Sequence, residues 1–188
     1  MKLRGKKIAI FAENLYEELE IWVPYYRLIE EGAEVKIIGS GTSAEYKGKY
    51  GYPVKVDLSI EEARPEDFDA VIVPGGFAPD YMRRAPKMAA FIKKAHEQGK
   101  VTAAICHGVW MLISAGILKG KTATAFFAIK DDVVNAGARF VDEPVARDGL
   151  IITSRKPADL PAFCGQIIEA LQAELHSLEG EESEEAEQ

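Results

Sequence analysis

The chain has 188 residues, 47% hydrophobic and 28% charged, the balance of one ordinary globular domain long enough to bury a continuous core. Its formal net charge of −7 disfavours nucleic acid and anionic membrane as partners. No apolar run approaches the ~20 residues of a membrane span, the opening MKLRGKKIAIFA lacks the apolar core of a signal peptide, and two cysteines are too few for a disulfide framework. The expectation is a cytoplasmic protein with both thiols free.

Along the chain, two kinds of segment alternate. Residues 7–12 (KIAIFA) form a short apolar run bounded by charge, the pattern of a buried strand. Over residues 17–31 the spacing of Leu19, Trp22, Val23, Tyr26 and Ile29 predicts a helix, closed by Gly32. Residues 34–38 (EVKII) read as a second strand, and the Gly-rich stretch from 39 to 57 as a hairpin or excursion. A buried strand at 69–73 (DAVIV) runs into Pro74-Gly75-Gly76; a helix at 87–98 ends at Gly99; a strand at 101–105 meets a helix at 109–115 with no loop between. Further strands are expected at 122–125, 139–141 and 150–154, and a long final helix at 157–178 with proline in its first turn. Strands alternating with helices argue for βαβ units around a parallel sheet. One domain, residues 1–178, accounts for all of this. The tail, 179–188 (EGEESEEAEQ), holds six glutamates and no base, and is expected to be disordered by self-repulsion; the body without it carries about −1.

The strongest chemical signal is Ala103-Ala104-Ile105-Cys106-His107-Gly108, a nucleophile-type residue where a strand becomes a helix. Flanked by Ala104 and Gly108, Cys106 follows the logic of a nucleophile elbow, although G-x-S-x-G itself is absent. Such a turn would expose the thiol at the C-terminal edge of the sheet, above unpaired helix N–H groups, and hold its pKa below ~8.5. The competing reading is a buried structural cysteine. His107 is either an acid, base or orienter of the sulfur, or a solvent-facing imidazole, since adjacent side chains on a turn diverge. Gly75 and Gly76 either let backbone N–H groups approach a ligand as an oxyanion hole or form a plain turn. Glu17, Glu18 and Glu20 suit the positive end of the first helix; alternatively one carboxylic acid, its pKa raised, hydrogen-bonds the thiolate. Cys164 reads as core, and His96 and His176 as solvent-facing. The cysteines and histidines show no metal-ligand spacing, and no phosphate loop or G-x-G-x-x-G follows the first strand, so no metal or nucleotide cofactor is expected.

Six stretches in order, AENLYEELEIWVPYYRLIEEGAEV, KGKYGYPVKVD, DAVIVPGGFAPD, AAICHGVWMLISAGILKGKTAT, IKDDVVNAGARFVDEPV and TSRKPADLPAF, carry a resemblance that runs from Lys7 to about Leu171. In content and spacing the chain resembles the DJ-1/PfpI family, in its PfpI branch of intracellular "protease I" proteins. The resemblance implies a flavodoxin-like three-layer α/β sandwich with a mostly parallel sheet and helices on both faces. Cys106 then matches the reactive cysteine and His107 the histidine after it. Glu20 matches the glutamate that contacts the sulfur, Glu17 the other glutamate of that helix, and Gly75 and Gly76 the glycine pair beside the cysteine. Asp80 matches an acidic residue offered by a neighbouring subunit to complete a Cys-His-acid triad, and is one methylene shorter than the family's glutamate. Phe126 stands where some members carry a tyrosine. Members form homodimers, and some assemble into hexamers.

The activities implied are glyoxalase or deglycase action on 2-oxoaldehydes and their protein adducts, or cysteine peptidase action on unfolded polypeptide, in a stress-protective setting. The alternative is a redox sensor in which Cys106 is oxidised to sulfinate without turnover.

Overall fold

The computed structural model describes residues 1–186, with side chains described through Ala173. From the N-terminus, β1 (Lys7–Ala12) leads into α1 (Glu18–Glu30) and β2 (Glu34–Gly39). The next stretch holds a hairpin, β3 (Glu45–Lys47) against β4 (Pro53–Lys55), and a two-residue strand β5 (Leu58–Ser59). β6 (Ala70–Val73), α2 (Ala78–Arg83) and α3 (Pro86–Glu97) follow. β7 (Val101–Ile105) passes through a 3-10 turn, Cys106–Gly108, into α4 (Val109–Ser114). The remainder is β8 (Thr122–Ala123), α5 (Lys130–Asn135), β9 (Arg139–Phe140), β10 (Val145–Asp148), β11 (Ile151–Ser154) and α6 (Leu160–Ala186).

Seven strands make the main sheet in the order β10-β11-β7-β6-β1-β2-β5, parallel throughout except for β10 at one edge. α1 and α6 pack on each other and on the sheet, while α2, α3 and α4 form a second mutually packed group. The result has the parallel sheet expected from the alternation of elements and is the flavodoxin-like sandwich that the family resemblance implied. β6, β7 and all but the first residue of β1 are buried, as parallel strands covered on both faces must be. Strand order reverses between β1 and β6, so the crevice of this sheet lies beyond their C-terminal ends.

Three expectations are corrected. The strands at 122–125 and 139–141 are shorter and do not join the main sheet; β8 and β9 pair with each other alone. Side chains take the amides a longer ladder would need: Thr122 N donates to Asp148 Oδ2 at 2.8 Å and Thr124 N to Thr153 Oγ1 at 2.9 Å. The final helix begins at Leu160 after a 3-10 turn, Pro157–Asp159. Its backbone stays helical to Ala186, through most of the acidic segment expected to lack structure. Glutamate and alanine are good helix formers, and the segment extends a helix already nucleated and packed upstream. The expectations for residues 187–188 and for the His176 side chain lie outside the described residues.

α1 carries two apolar stripes, and the one visible in the sequence faces outward. Leu19, Val23, Tyr26 and Ile29 are 51%, 38%, 62% and 41% exposed, whereas Glu20, Ile21, Pro24 and Leu28 are buried. The core side of this helix thus puts a carboxylic acid in line with two aliphatic side chains and a proline.

Phe11, fully buried in the central strand, meets Phe91 of α3 edge-on with ring centroids 5.5 Å apart. Phe11→Ala is expected to lower stability by about 3–5 kcal/mol, read as a lower urea midpoint with an unchanged slope.

Candidate active site

Cys106 occupies the junction of β7 and α4 with φ 59, a left-handed conformation in a residue with a side chain. Gly108 permits the sharp turn: a Cβ there would lie 2.5 Å from the Val73 carbonyl oxygen. The turn puts the cysteine beside the Pro74–Gly76 segment that leaves β6. A Cβ on Gly75 would meet Glu20 Oε2 at 2.6 Å and Cys106 Cβ at 2.7 Å, so glycine is required for the backbone to pass between these side chains. Gly76, at φ 74, has Leu15 O 2.4 Å from where its Cβ would be, and Tyr16 bridges to it. β1, β6 and β7 therefore deliver α1, the glycine pair and the cysteine to one point at the sheet's C-terminal edge.

Glu20 is fully buried, and its Oε2 accepts the Gly75 N–H at 2.6 Å. Oε1 is buried with no hydrogen-bond partner among the described residues, and the carboxyl as a whole interacts with the Cys106 thiol. Burial raises the carboxyl pKa to about 8, against the lowering pull of the Gly75 amide. The thiol does not behave as the elbow alone predicts. Burial first, and then the Glu20 carboxylate, push Cys106 up to about 12, while the His107 and Gly76 amides pull it down. Two acids sharing one dry pocket cannot both ionise, so at neutral pH the pair keeps its protons. A single negative charge placed on sulfur would receive the Glu20 O–H and both amides.

A second correction concerns the glycine pair. Gly75 spends its amide on Glu20, so the backbone donors aimed at the sulfur are Gly76 and His107.

The His107 imidazole turns toward the sulfur, with Nδ1 3.4 Å from Sγ. Its ring lies against Trp110 and Phe126, with centroids 5.1 and 5.0 Å away, and burial lowers its pKa. A neutral imidazole beside a thiol is placed to accept its proton. Glu17, also buried, pairs with Lys49 at the turn of the β3–β4 hairpin. That hairpin is pinned to α1, since Tyr50 N donates to Glu18 Oε1 at 2.7 Å and Lys49 N to Tyr16 O at 2.9 Å. Asp80 is not brought to the site of its own chain. It lies on α2, paired with Arg84, outside the cleft.

These groups floor an open cleft of about 700 Å³ walled by Leu15, Leu19, Phe77, Trp110 and Phe126, with Lys49, Tyr50 and Lys156 also lining it. Cys106 is 9% exposed at its base. Sequence reading missed Lys49, Trp110 and Lys156, because their only credential is position on the finished surface. Glu20 had a usable signal: it stands one turn before Pro24 and two before Leu28 on the buried stripe. Among the described residues no group of three or more His, Cys, Asp or Glu side chains is arranged to hold a metal. No helix of the described residues is long and apolar enough to cross a membrane.

Fold and site together define a class: flavodoxin-like sandwiches with a cysteine on a strand-to-helix elbow and a buried glutamate against it. The chain belongs to the DJ-1/PfpI family, whose sequence model matches residues 6–170. It is 44% identical over 165 residues to Deglycase PH1704 of Pyrococcus horikoshii, covering 88% of this chain and 99% of that protein. Deglycase PfpI of Pyrococcus furiosus is 43% identical over 165 residues, with 88% and 99% covered. Among solved structures, a two-domain protein of Anabaena variabilis with DJ-1/ThiJ/PfpI-like and ferritin-like domains superposes with TM-score 0.86 at 45% identity, over 89% of this chain and 48% of that one. Drosophila melanogaster DJ-1beta gives TM-score 0.83 at 27% identity, over 89% and 90%.

The buried carboxyl leaves a thermodynamic mark. Its folded pKa of about 8 exceeds its ordinary value of 4.5, so between these the folded chain holds a proton that the unfolded chain has released. Stability due to this group is complete below pH 4.5 and is lost as pH rises to about 8. Relative to wild type, Glu20→Gln should therefore gain stability steadily across that window and level off on both sides. Urea unfolding at a series of pH values measures it, and a difference independent of pH would refute the assignment.

Proposed function

We propose that the chain is a cysteine-dependent deglycase that also acts on free 2-oxoaldehydes. The observation that carries this reading is the meeting, in one cleft, of the Cys106 sulfur, a neutral imidazole 3.4 Å from it and a buried carboxyl that holds its proton to about pH 8. It is supported by the similarity to proteins named deglycase over nearly the whole chain.

On the hemiaminal formed by a 2-oxoaldehyde and an amine, His107 Nδ1 takes the thiol proton as sulfur attacks the carbon bearing nitrogen. The Gly76 and His107 amides stabilise the charge on sulfur, and the imidazolium returns the proton to the departing amine. The product is a hemithioacetal on Cys106. Glu20 then protonates the ketone oxygen, His107 moves the C1 proton to C2, and the C1 hydroxyl proton returns to Glu20 as C1 becomes a carbonyl, converting the adduct to a 2-hydroxyacyl thioester. Water cleaves that thioester to a 2-hydroxy acid and regenerates the thiol. Adduct and water become amine and hydroxy acid, with no oxidant required. A free aldehyde joins the route at the hemithioacetal.

The peptidase reading needs an acid to orient His107. The candidate, Asp80, is engaged with Arg84 on the surface of its own chain, so that reading depends on another copy supplying it.

The test uses the methylglyoxal adduct of Nα-acetyl-lysine, with release of lactate and free amine both measured. Wild type is expected to turn over, and Cys106→Ala to lose activity by about a thousandfold or more. Denatured casein should remain uncleaved. Stoichiometric oxidation of Cys106 by peroxide with no lactate from the adduct would overturn the reading in favour of a redox sensor.

A further inference from the structure

We infer that Lys156, with the aromatic ledge of Phe126 and Phe127, forms a carboxylate-binding subsite beside Cys106, so that the preferred substrate carries a negative charge beyond its reacting carbonyl. The inference rests on the reading of Cys106 as the reacting group and adds what the substrate must look like.

The first observation is size. The cleft over Cys106 holds about 700 Å³ and adjoins a second of about 490 Å³; Phe126 and Lys156 line both. A three-carbon aldehyde would fill a small part of the first alone, whereas such volumes suit ligands of many more atoms. The second observation is charge. Four acidic or basic side chains besides Cys106, His107 and the phenol of Tyr50 line the first cleft: Glu17, Glu20, Lys49 and Lys156. Glu17 and Lys49 neutralise each other, and Glu20 keeps its proton at neutral pH. Lys156 is exposed and makes no ion pair among the described residues.

Its neighbours sharpen the contrast. Arg155, lining the second cleft, is held by Asp142 at 2.8 Å and Asp159 at 2.9 Å, so its charge is already answered. Lys156 is therefore the uncompensated cation where the clefts meet, on a molecule whose overall charge is −7. Pro157 follows it, and Lys156 itself caps the 3-10 turn in an extended conformation, which fixes the backbone from which the side chain projects. Phe127, 77% exposed, supplies an apolar ledge for the part of the ligand between carbonyl and carboxylate.

Reaction of Cys106 with matched reagents tests this without requiring turnover. Two pairs are used, iodoacetate against iodoacetamide and bromoacetyl-Ala-Glu-amide against bromoacetyl-Ala-Gln-amide, each rate ratio being normalised to N-acetylcysteine. Dividing charged by neutral rates cancels any change in the thiol itself. The wild-type ratio should favour the charged reagent by about two- to fivefold, the range of one exposed ion pair. It should fall toward one in Lys156→Gln, invert in Lys156→Glu, and shrink as salt rises. A preference in both pairs means that small acids reach Lys156; a preference in the peptide pair alone means that the charge must lie on a longer, peptide-borne adduct. Either supports the subsite. Ratios near one in wild type, or unmoved by both Lys156 variants, overturn it while leaving Cys106 the reacting group. Failure of every reagent to label Cys106 in the folded protein would overturn both readings.

Discussion

Two acids and a strip of backbone meet where β1, β6 and β7 end, and most of the chemistry described here is a consequence of that meeting. Glu20 reaches the Gly75 amide at 2.6 Å, and Gly75 in turn lies where any side chain would collide with both the carboxyl and the cysteine. Because the corner is dry, neither acid ionises easily; the Glu20 carboxylate raises the cost of ionising Cys106, while the hydrogen bond from Cys106 eases ionisation of Glu20 only in part. The site thus stores protons rather than charge, which suits a reaction that moves a proton between carbon, oxygen, nitrogen and sulfur in turn.

The rigidity behind this arrangement comes from the sheet, and the selectivity from what hangs over it. β6 and β7 are buried along their whole length, so the glycine pair and the cysteine leave from fixed points. The opposite wall is softer in origin. Lys49 and Tyr50 sit at the turn of a short hairpin, tied to α1 through Glu17, Glu18 and Tyr16. The aromatic walls, Trp110 on α4 and Phe126 before α5, bracket the imidazole and set how far it can swing.

Much of the fold could be read from the chain because a parallel sheet writes continuous apolar runs, and KIAIFA, DAVIV and VTAAI are three of its central strands. Cys106 was legible for the same reason, as a reactive residue at the end of such a run with small residues on either side. The expected drop in the thiol's pKa was not met, since a turn motif says where a side chain stands but not how much solvent surrounds it or which acid shares its pocket. α1 misled in a different way. Its exposed stripe is as apolar as its buried one, so periodicity alone pointed to the wrong face, and only the family resemblance set Glu20 apart from Glu17 and Glu18 before Ile21, Pro24 and Leu28 were seen to lie inward. β8 stays short as distant side chains, Asp148 and Thr153, take the Thr122 and Thr124 amides, and no local pattern records that.

The left-handed backbone at Cys106 has a consequence for how this molecule tolerates change. A residue with a side chain held at φ 59 costs about 1–2 kcal/mol that a glycine would not incur through steric clash. The fold therefore gains nothing from keeping a sulfur at this corner and is under standing pressure to lose it. Selection for firmness alone would favour glycine at position 106, so cysteine there trades robustness for reactivity.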